Sequence, residues 1–274
     1  MKSLAITSGK GGVGKTNIAA NLGLCLGESR KRVLLLDADL GLANLDVMLG
    51  VNPTLTIANV LAGEKPLREV LIELTPYVDL VPASSGIRRL ERLAPSQRVA
   101  LAVELDSIVH EYDILLIDTG AGIGDNVLFF NDYADAVLVV TMPEPAALTD
   151  AYAIIKVLAR SCHRRDLAVL VNQAASASVA AAVQSKLDEV SQRFLGLQPF
   201  AAGYLPTDPA LLRAVATRTP VLQTEPHAPY SRGIRSLAAR LDSLFEHVKQ
   251  HPRQRVFQAW SEGEHHRRKE PASQ

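Results

Sequence analysis

The sequence predicts an α/β fold in which a mostly parallel central sheet is covered by helices on both faces. Three observations carry that expectation. Short apolar runs recur along the 274 residues, and most are followed by a stretch of helical periodicity. Two of these runs, Val33-Leu34-Leu35-Leu36 and Ile114-Leu115-Leu116-Ile117, do not alternate with polar residues, which is the pattern of central strands buried on both sides. A glycine-rich loop follows the first run and leads directly into the first helical pattern.

Taken in order, strands are expected at 4–7, 33–37, 78–81, 114–118, 136–141, 168–172 and 201–205. Helices are expected at 16–27, 95–112, 148–161, 177–195 and about 230–250. Pro252 then stops the last helix, and 264–274 carries His265, His266, Arg267, Arg268 and Lys269 with almost nothing apolar. Residues 1–250 are therefore expected as one domain and 251–274 as a polar tail. No period of 20 to 50 residues repeats, which excludes a solenoid.

Composition narrows the function. Lys plus Arg is 29 and Asp plus Glu is 29, so the chain is no polycation and neither bulk nor sequence-specific nucleic-acid binding is expected. Arg88, Arg89, Arg92 and Arg98 form a local basic run that reads as a solvated helix face. A content of 47% hydrophobic and 21% charged residues fits a folded, water-soluble chain, and no apolar stretch reaches the roughly 18 residues of a membrane span. Met1-Lys2-Ser3 runs straight into a strand without a signal-peptide pattern. The two cysteines, Cys25 and Cys162, lie far apart and outside any C-x-x-C spacing, which excludes a disulfide framework or an iron-sulfur site and points to the cytoplasm.

The strongest chemical signal is Gly9-Lys10-Gly11-Gly12-Val13-Gly14-Lys15-Thr16, placed between strand and helix as a P-loop requires. Its glycines let backbone N–H groups turn inward around phosphate oxygens, and the helix that starts there adds its dipole. Lys15 is expected on the β and γ phosphates and the Thr16 hydroxyl on Mg²⁺, with Asn17 among the nucleotide-binding residues. The predicted fold is thus the three-layer P-loop NTPase fold, and the predicted ligand is a nucleoside triphosphate.

Two later strands end in acids, Asp37-Ala38-Asp39 and Asp118-Thr119-Gly120-Ala121-Gly122. In an open parallel sheet, ligands bind beyond the carboxyl ends of the strands, so all three aspartates can converge on the loop. Asp118 is expected to hold Mg²⁺ through a water, and Gly120 and Gly122 to let the next loop sense the γ phosphate.

With Lys10 inside the loop, the chain resembles the deviant Walker A family of ParA and MinD ATPases, whose signature is K-G-G-x-G-K-[ST]. The resemblance implies ATP and Mg²⁺ as cofactors and an ATP-sandwiched homodimer in which Lys10 reaches the partner's phosphates. It further implies that Asp39 positions the attacking water and that Asp37 supports the metal shell, the alternative being that Asp39 caps the next helix. Adenine would be read by Asn172 and by Pro206-Thr207-Asp208, although Gln173 replaces the family's usual arginine and Asn172 could instead satisfy local backbone groups.

Within that family, the stretches Ser8 to Asn17, Asp37 to Asp46 and Asp118 to Ile123 are similar to the flagellar number regulators FlhG, FleN and YlxH. The same holds for Pro206-Thr207-Asp208 with Ala214-Val215 and Pro220-Val221. That branch implies a slow cytoplasmic ATPase with three kinds of partner: a flagellar master transcription activator, an FlhF-type GTPase and basal-body switch proteins. It also implies conditional contact with the inner membrane or a cell pole. Val256, Phe257 and Trp260, flanked by Arg253 and Arg255, share a short helical face suited to weak, dimer-assisted membrane contact, or else fold back onto the domain. A MinD-like division regulator, a ParA-like partition ATPase and a binding module timed by ATP are the competing readings.

Overall fold

The structure, a computed structural model, describes residues 1–84 and 92–250. Its frame is a sheet of β1 (Lys2–Ser8), β2 (Val33–Ala38), β3 (Ile72–Thr75), β4 (Val78–Val81), β5 (Ile114–Ala121), β6 (Ala136–Thr141), β7 (Leu167–Ala174) and β8 (Phe200–Pro206). They lie in the order β3-β4-β2-β5-β1-β6-β7-β8, and every neighbouring pair is parallel except β3 with β4. The chain order reverses at β1, between β5 and β6, which is where an open sheet leaves a crevice beyond its carboxyl ends.

Ten helices flank the sheet: α1 (Lys15–Glu28), α2 (Leu45–Leu49), α3 (Ile57–Leu61), α4 (Pro95–Ile108), α5 (Asp125–Tyr133), α6 (Pro145–Ser161), α7 (Ala177–Leu195), α8 (Pro209–Ala216), α9 (Val221–Thr224) and α10 (Pro229–Gln250) among the described residues. Side-chain alternation along each strand splits the core into two layers. Leu34 and Leu36 of β2 pack with α3 to α7. Val33 and Leu35, with Leu4 and Ile6 of β1, pack with α1, α2 and α8 to α10. Strand runs that are apolar at every position thus feed both layers, as their lack of alternation predicts.

Several boundaries differ from the sequence expectation for identifiable reasons. β3 was not expected; its Ile72-Glu73-Leu74-Thr75 pattern is a short alternating edge strand turned back on β4. α5 was also not foreseen, although Val127, Phe129 and Phe130 bury its inner face. α4 ends at Ile108 and a 3-10 turn at Val109–Glu111 replaces its expected last turn, which lets the Tyr112 hydroxyl donate to Asp79 at 2.6 Å. α6 begins at Pro145, three residues before the expected start, because a proline at the first helical position has no N–H to lose. β7 extends two residues past Asn172, which therefore lies within the strand and does not end it.

The basic run needs a correction as well. Arg98 is buried, stacked 6.0 Å from the Phe129 ring centre with Asp125 at 3.7 Å, and Arg92 donates to Asp125 at 2.9 Å. Arg98 therefore fastens α4 to α5 and is not part of a solvated face, whereas Arg92, which precedes α4, keeps a largely exposed side chain; Arg88 and Arg89 lie outside the described residues. So do 251–274, including Arg253, Arg255, Val256, Phe257 and Trp260. No helix among the described residues is long and apolar enough to cross a membrane.

A second buried arginine anchors α5. Arg164 is fully buried, paired with Asp166, and donates to the carbonyls of Asn131, Ala134 (2.9 Å) and Asp135 (2.9 Å) at the end of that helix. These carbonyls have no partner within the helix, so the guanidinium supplies a cap that water cannot reach.

Candidate functional site

β1 delivers the chain into the loop 9–14, and Gly14 stands before α1 with φ +92°. A side chain there would be strained, and its Cβ would fall 2.5 Å from the Asn172 amide nitrogen. Gly14 has no side-chain cap to offer, so the first N–H groups of α1 stay available to an anion. Lys15, at the first position of α1, is buried, and its Nζ donates to Ser8 Oγ at 2.9 Å. Burial pulls its ammonium below the ordinary lysine range, partly opposed by Asp118 and Asp39.

The three acids do converge. Asp37 and Asp118 are register partners on β2 and β5, and Asp118 also pairs with Ile6 on β1. Asp37 accepts N–H groups from Asp39 (3.1 Å), Asn44 (3.2 Å) and Leu45 (3.1 Å), tying the loop after β2 to the sheet. Asp39 instead accepts from Leu42 at 3.2 Å and lies against Gly120; Asn44 is the residue that precedes α2, so Asp39 caps no helix. Burial pushes the Asp118 carboxyl up to about 7, with the Thr16 hydroxyl and Lys15 acting in the other direction. Burial and the neighbouring Asp118 also push Asp37 well above the usual carboxylate range, against the pull of its backbone donors.

An open cavity of about 920 Å³ lies over these groups. Gly11, Gly12, Gly14, Lys15, Thr16 and Asn17 form one side, Asp39 and Asn44 the second, and Gly120 and Gly124 the third. Val13, Asp37 and Asp118 are buried behind it. Lys10 is not part of its lining; it pairs with Glu144 at 3.0 Å, just before α6. Asn172 is fully buried, donates to the Val13 carbonyl at 2.7 Å and accepts the Gln173 N–H at 2.9 Å, so it props the loop from below. Pro206 ends β8, Thr207 donates to the Gln173 carbonyl at 3.0 Å, and Asp208 caps α8 while accepting the Tyr230 N–H at 2.9 Å. These four residues join the carboxyl ends of β7 and β8 and do not line the cavity.

Residues 1–169 match a family model described as an AAA domain. The antiactivator FleN of Pseudomonas aeruginosa is 41% identical over 240 residues, 88% of this chain and 86% of its own length. The flagellum site-determining protein YlxH of Helicobacter pylori is 36% identical over 246 residues, 89% of this chain and 83% of its own. The chain belongs to the MinD/ParA family of P-loop ATPases, in its FleN/YlxH branch. Among solved structures, the cell-division ATPase MinD of Pyrococcus furiosus superposes with a TM-score of 0.75 at 26% identity, over 89% of this chain and 99% of that one. A MinD complexed with Mg-ADP from Pyrococcus horikoshii gives 0.72 at 27% identity, over 89% and 96%.

As a member of the MinD/ParA family, the chain presents a donor set that fits a magnesium nucleotide. One carboxylate oxygen of Asp118 is buried without a partner, and the Thr16 hydroxyl stands beside it. Oxygen donors of this kind suit a small hard cation, whose charge would offset the cost of burying the acid. Sequence reasoning missed Ser8 and Glu144, the resting partners of the two loop lysines. Ser8 was legible as the residue between strand and loop, whereas Glu144 is far from Lys10 in sequence and carries no local signal. It also missed Met48 and Arg218, which complete the cavity wall.

Proposed function

We propose that the chain is an ATP-dependent dimerising switch that hydrolyses ATP slowly and limits flagellar number by restraining a flagellar master transcription activator. The observation that carries the switch is the apolar rim of the nucleotide cavity. Leu42 is 72% exposed there, and Val47 and Val215, also exposed, line the same mouth. Apolar side chains held open to water around a charged site suit a surface that a second copy covers. The flagellar assignment is supported by the likeness to FleN and YlxH over most of their lengths.

In this proposal the N–H groups of Gly11, Gly12, Val13 and Gly14 and the Lys15 ammonium bind the phosphates. Thr16 and Asp118 hold Mg²⁺, and Asp37 fixes the loop around it. Bound Mg²⁺ neutralises charge on the β and γ oxygens. Asp39, beside Gly120, orients the attacking water, and Lys10 leaves Glu144 to face the partner copy's phosphates. Hydrolysis is slow because the site is complete only when that copy has docked. Asn172, Pro206, Thr207 and Asp208 are proposed to read the base alongside their structural bonds. An FlhF-type GTPase and basal-body switch proteins are proposed partners. The setting is cytoplasmic, with weak contact at the inner membrane or a pole through 251–274.

A MinD-like role in division is the second reading. It is favoured by matches such as the septum site-determining protein MinD of Thermotoga maritima, 39% identical over 159 residues, 57% of each chain. A ParA-like partition role stands further off. The deciding experiment is to delete the gene in its source cell, count flagella, and complement with wild type or Lys15→Ala. Excess flagella corrected only by wild type support the flagellar switch. A normal count with misplaced septa moves the chain to the division reading.

A further inference from the structure

Ser8 is fully buried and joins three parts of the nucleotide site. Its hydroxyl accepts from Lys15 Nζ at 2.9 Å and donates to the Lys10 carbonyl at 2.6 Å. Its own carbonyl accepts the Gly122 N–H at 2.8 Å, from the loop after β5. The strand's exit is also sterically pinned, since a Cβ on the next residue, Gly9, would overlap the Asp150 carbonyl of α6 at 2.0 Å. The Ser8 oxygen is thus held in place by its surroundings and presented to the lysine.

We infer that Ser8 is a positioning residue: its hydroxyl holds Lys15 while the site is empty and thereby weakens nucleotide binding. The argument rests on the nucleotide-binding reading and on linkage. A buried ammonium without an acceptor is costly, and Ser8 Oγ accepts from Lys15 Nζ. When phosphate oxygens arrive, the ammonium gains charged acceptors and the hydroxyl matters less to it. A contact that stabilises the empty state more than the filled one subtracts from affinity by that difference. The bond to the Lys10 carbonyl involves only loop and strand atoms, acts in both states and cancels. Ser8 therefore keeps the lysine in place at the expense of binding strength.

The test is calorimetric binding of MgADP to wild type and to Ser8→Ala, with Ser8→Thr retaining the hydroxyl. ADP is used so that nucleotide-driven dimerisation does not enter. Ser8→Ala is expected to bind roughly three- to tenfold more tightly, the scale of one ordinary hydrogen bond, and Ser8→Thr to return towards wild type. Thermal melts provide an independent readout. The nucleotide-free melting point of Ser8→Ala should fall below wild type, and saturating MgADP should close most of that gap. Equal or weaker binding by a folded Ser8→Ala, or a gap unchanged by nucleotide, overturns the inference. If wild type itself binds no MgADP, the nucleotide-binding reading fails first and the inference with it.

Discussion

Asp118 shows what the nucleotide site costs the fold that carries it. It is buried beside Asp37 on the neighbouring strand, and one of its oxygens has no partner, so the nucleotide-free protein holds an acid it would fold better without. Asp118→Asn is expected to raise nucleotide-free stability by about 2 kcal/mol and to abolish Mg²⁺-dependent hydrolysis. Urea denaturation and phosphate release check the two halves. The pH dependence has a definite sign. A folded-state value raised to about 7 means that the folded protein keeps a proton which the unfolded chain releases near the ordinary carboxyl value. The favourable contribution is complete below the unfolded value and is lost as pH rises towards 7. The stability gap between Asp118→Asn and wild type should therefore widen from about pH 4 to about 7 and then level off. A gap independent of pH would remove the argument.

At the scale of elements, legibility followed how much of a residue's surroundings its neighbours in sequence dictate. The strand-loop-helix passage through Lys15 was readable because a phosphate cradle needs glycines and a helix start within a few residues. Asp37 and Asp118 were readable because each ends a run of apolar residues. β3 and α5 were not, since an edge strand of four residues and a helix entered from a glycine loop have weak periodicity of their own. Asn172 was half readable: its place near the loop could be inferred, but its bond to the Val13 carbonyl depends on a fold partner 159 residues away. Arg164 gave no signal at all, yet it caps α5 through three carbonyls. Arg164→Leu should destabilise the protein by about 3 kcal/mol, because Asp166 would be left buried without its cation. Amide exchange should show the last turn of α5 opening before the sheet does. Uniform loss of protection across the sheet would instead assign Arg164 to the core as a whole.

For the whole molecule, the open rim and the closed sheet make separate predictions. Leu42→Asp should leave MgADP binding by the monomer within about twofold while preventing the ATP-dependent dimer, as measured by light scattering, because a charge would be buried at the covered rim. A dimer of wild-type stability would place the contact surface elsewhere. The sheet order has a consequence for how the protein is made. β1 is synthesised first but lies in the middle, with Lys2 against Ile114 on one side and Leu4 against Ala136 on the other. Such distant pairing is slow to form, and the nascent first strand has no lateral partner until β5 has left the ribosome and is paired on both sides only after β6 has followed. A stalled chain that ends before residue 136 would carry the complete phosphate loop sequence and yet capture no nucleotide, since β6, the helix wall against Gly9 and the Asn172 that props the loop would not have been translated.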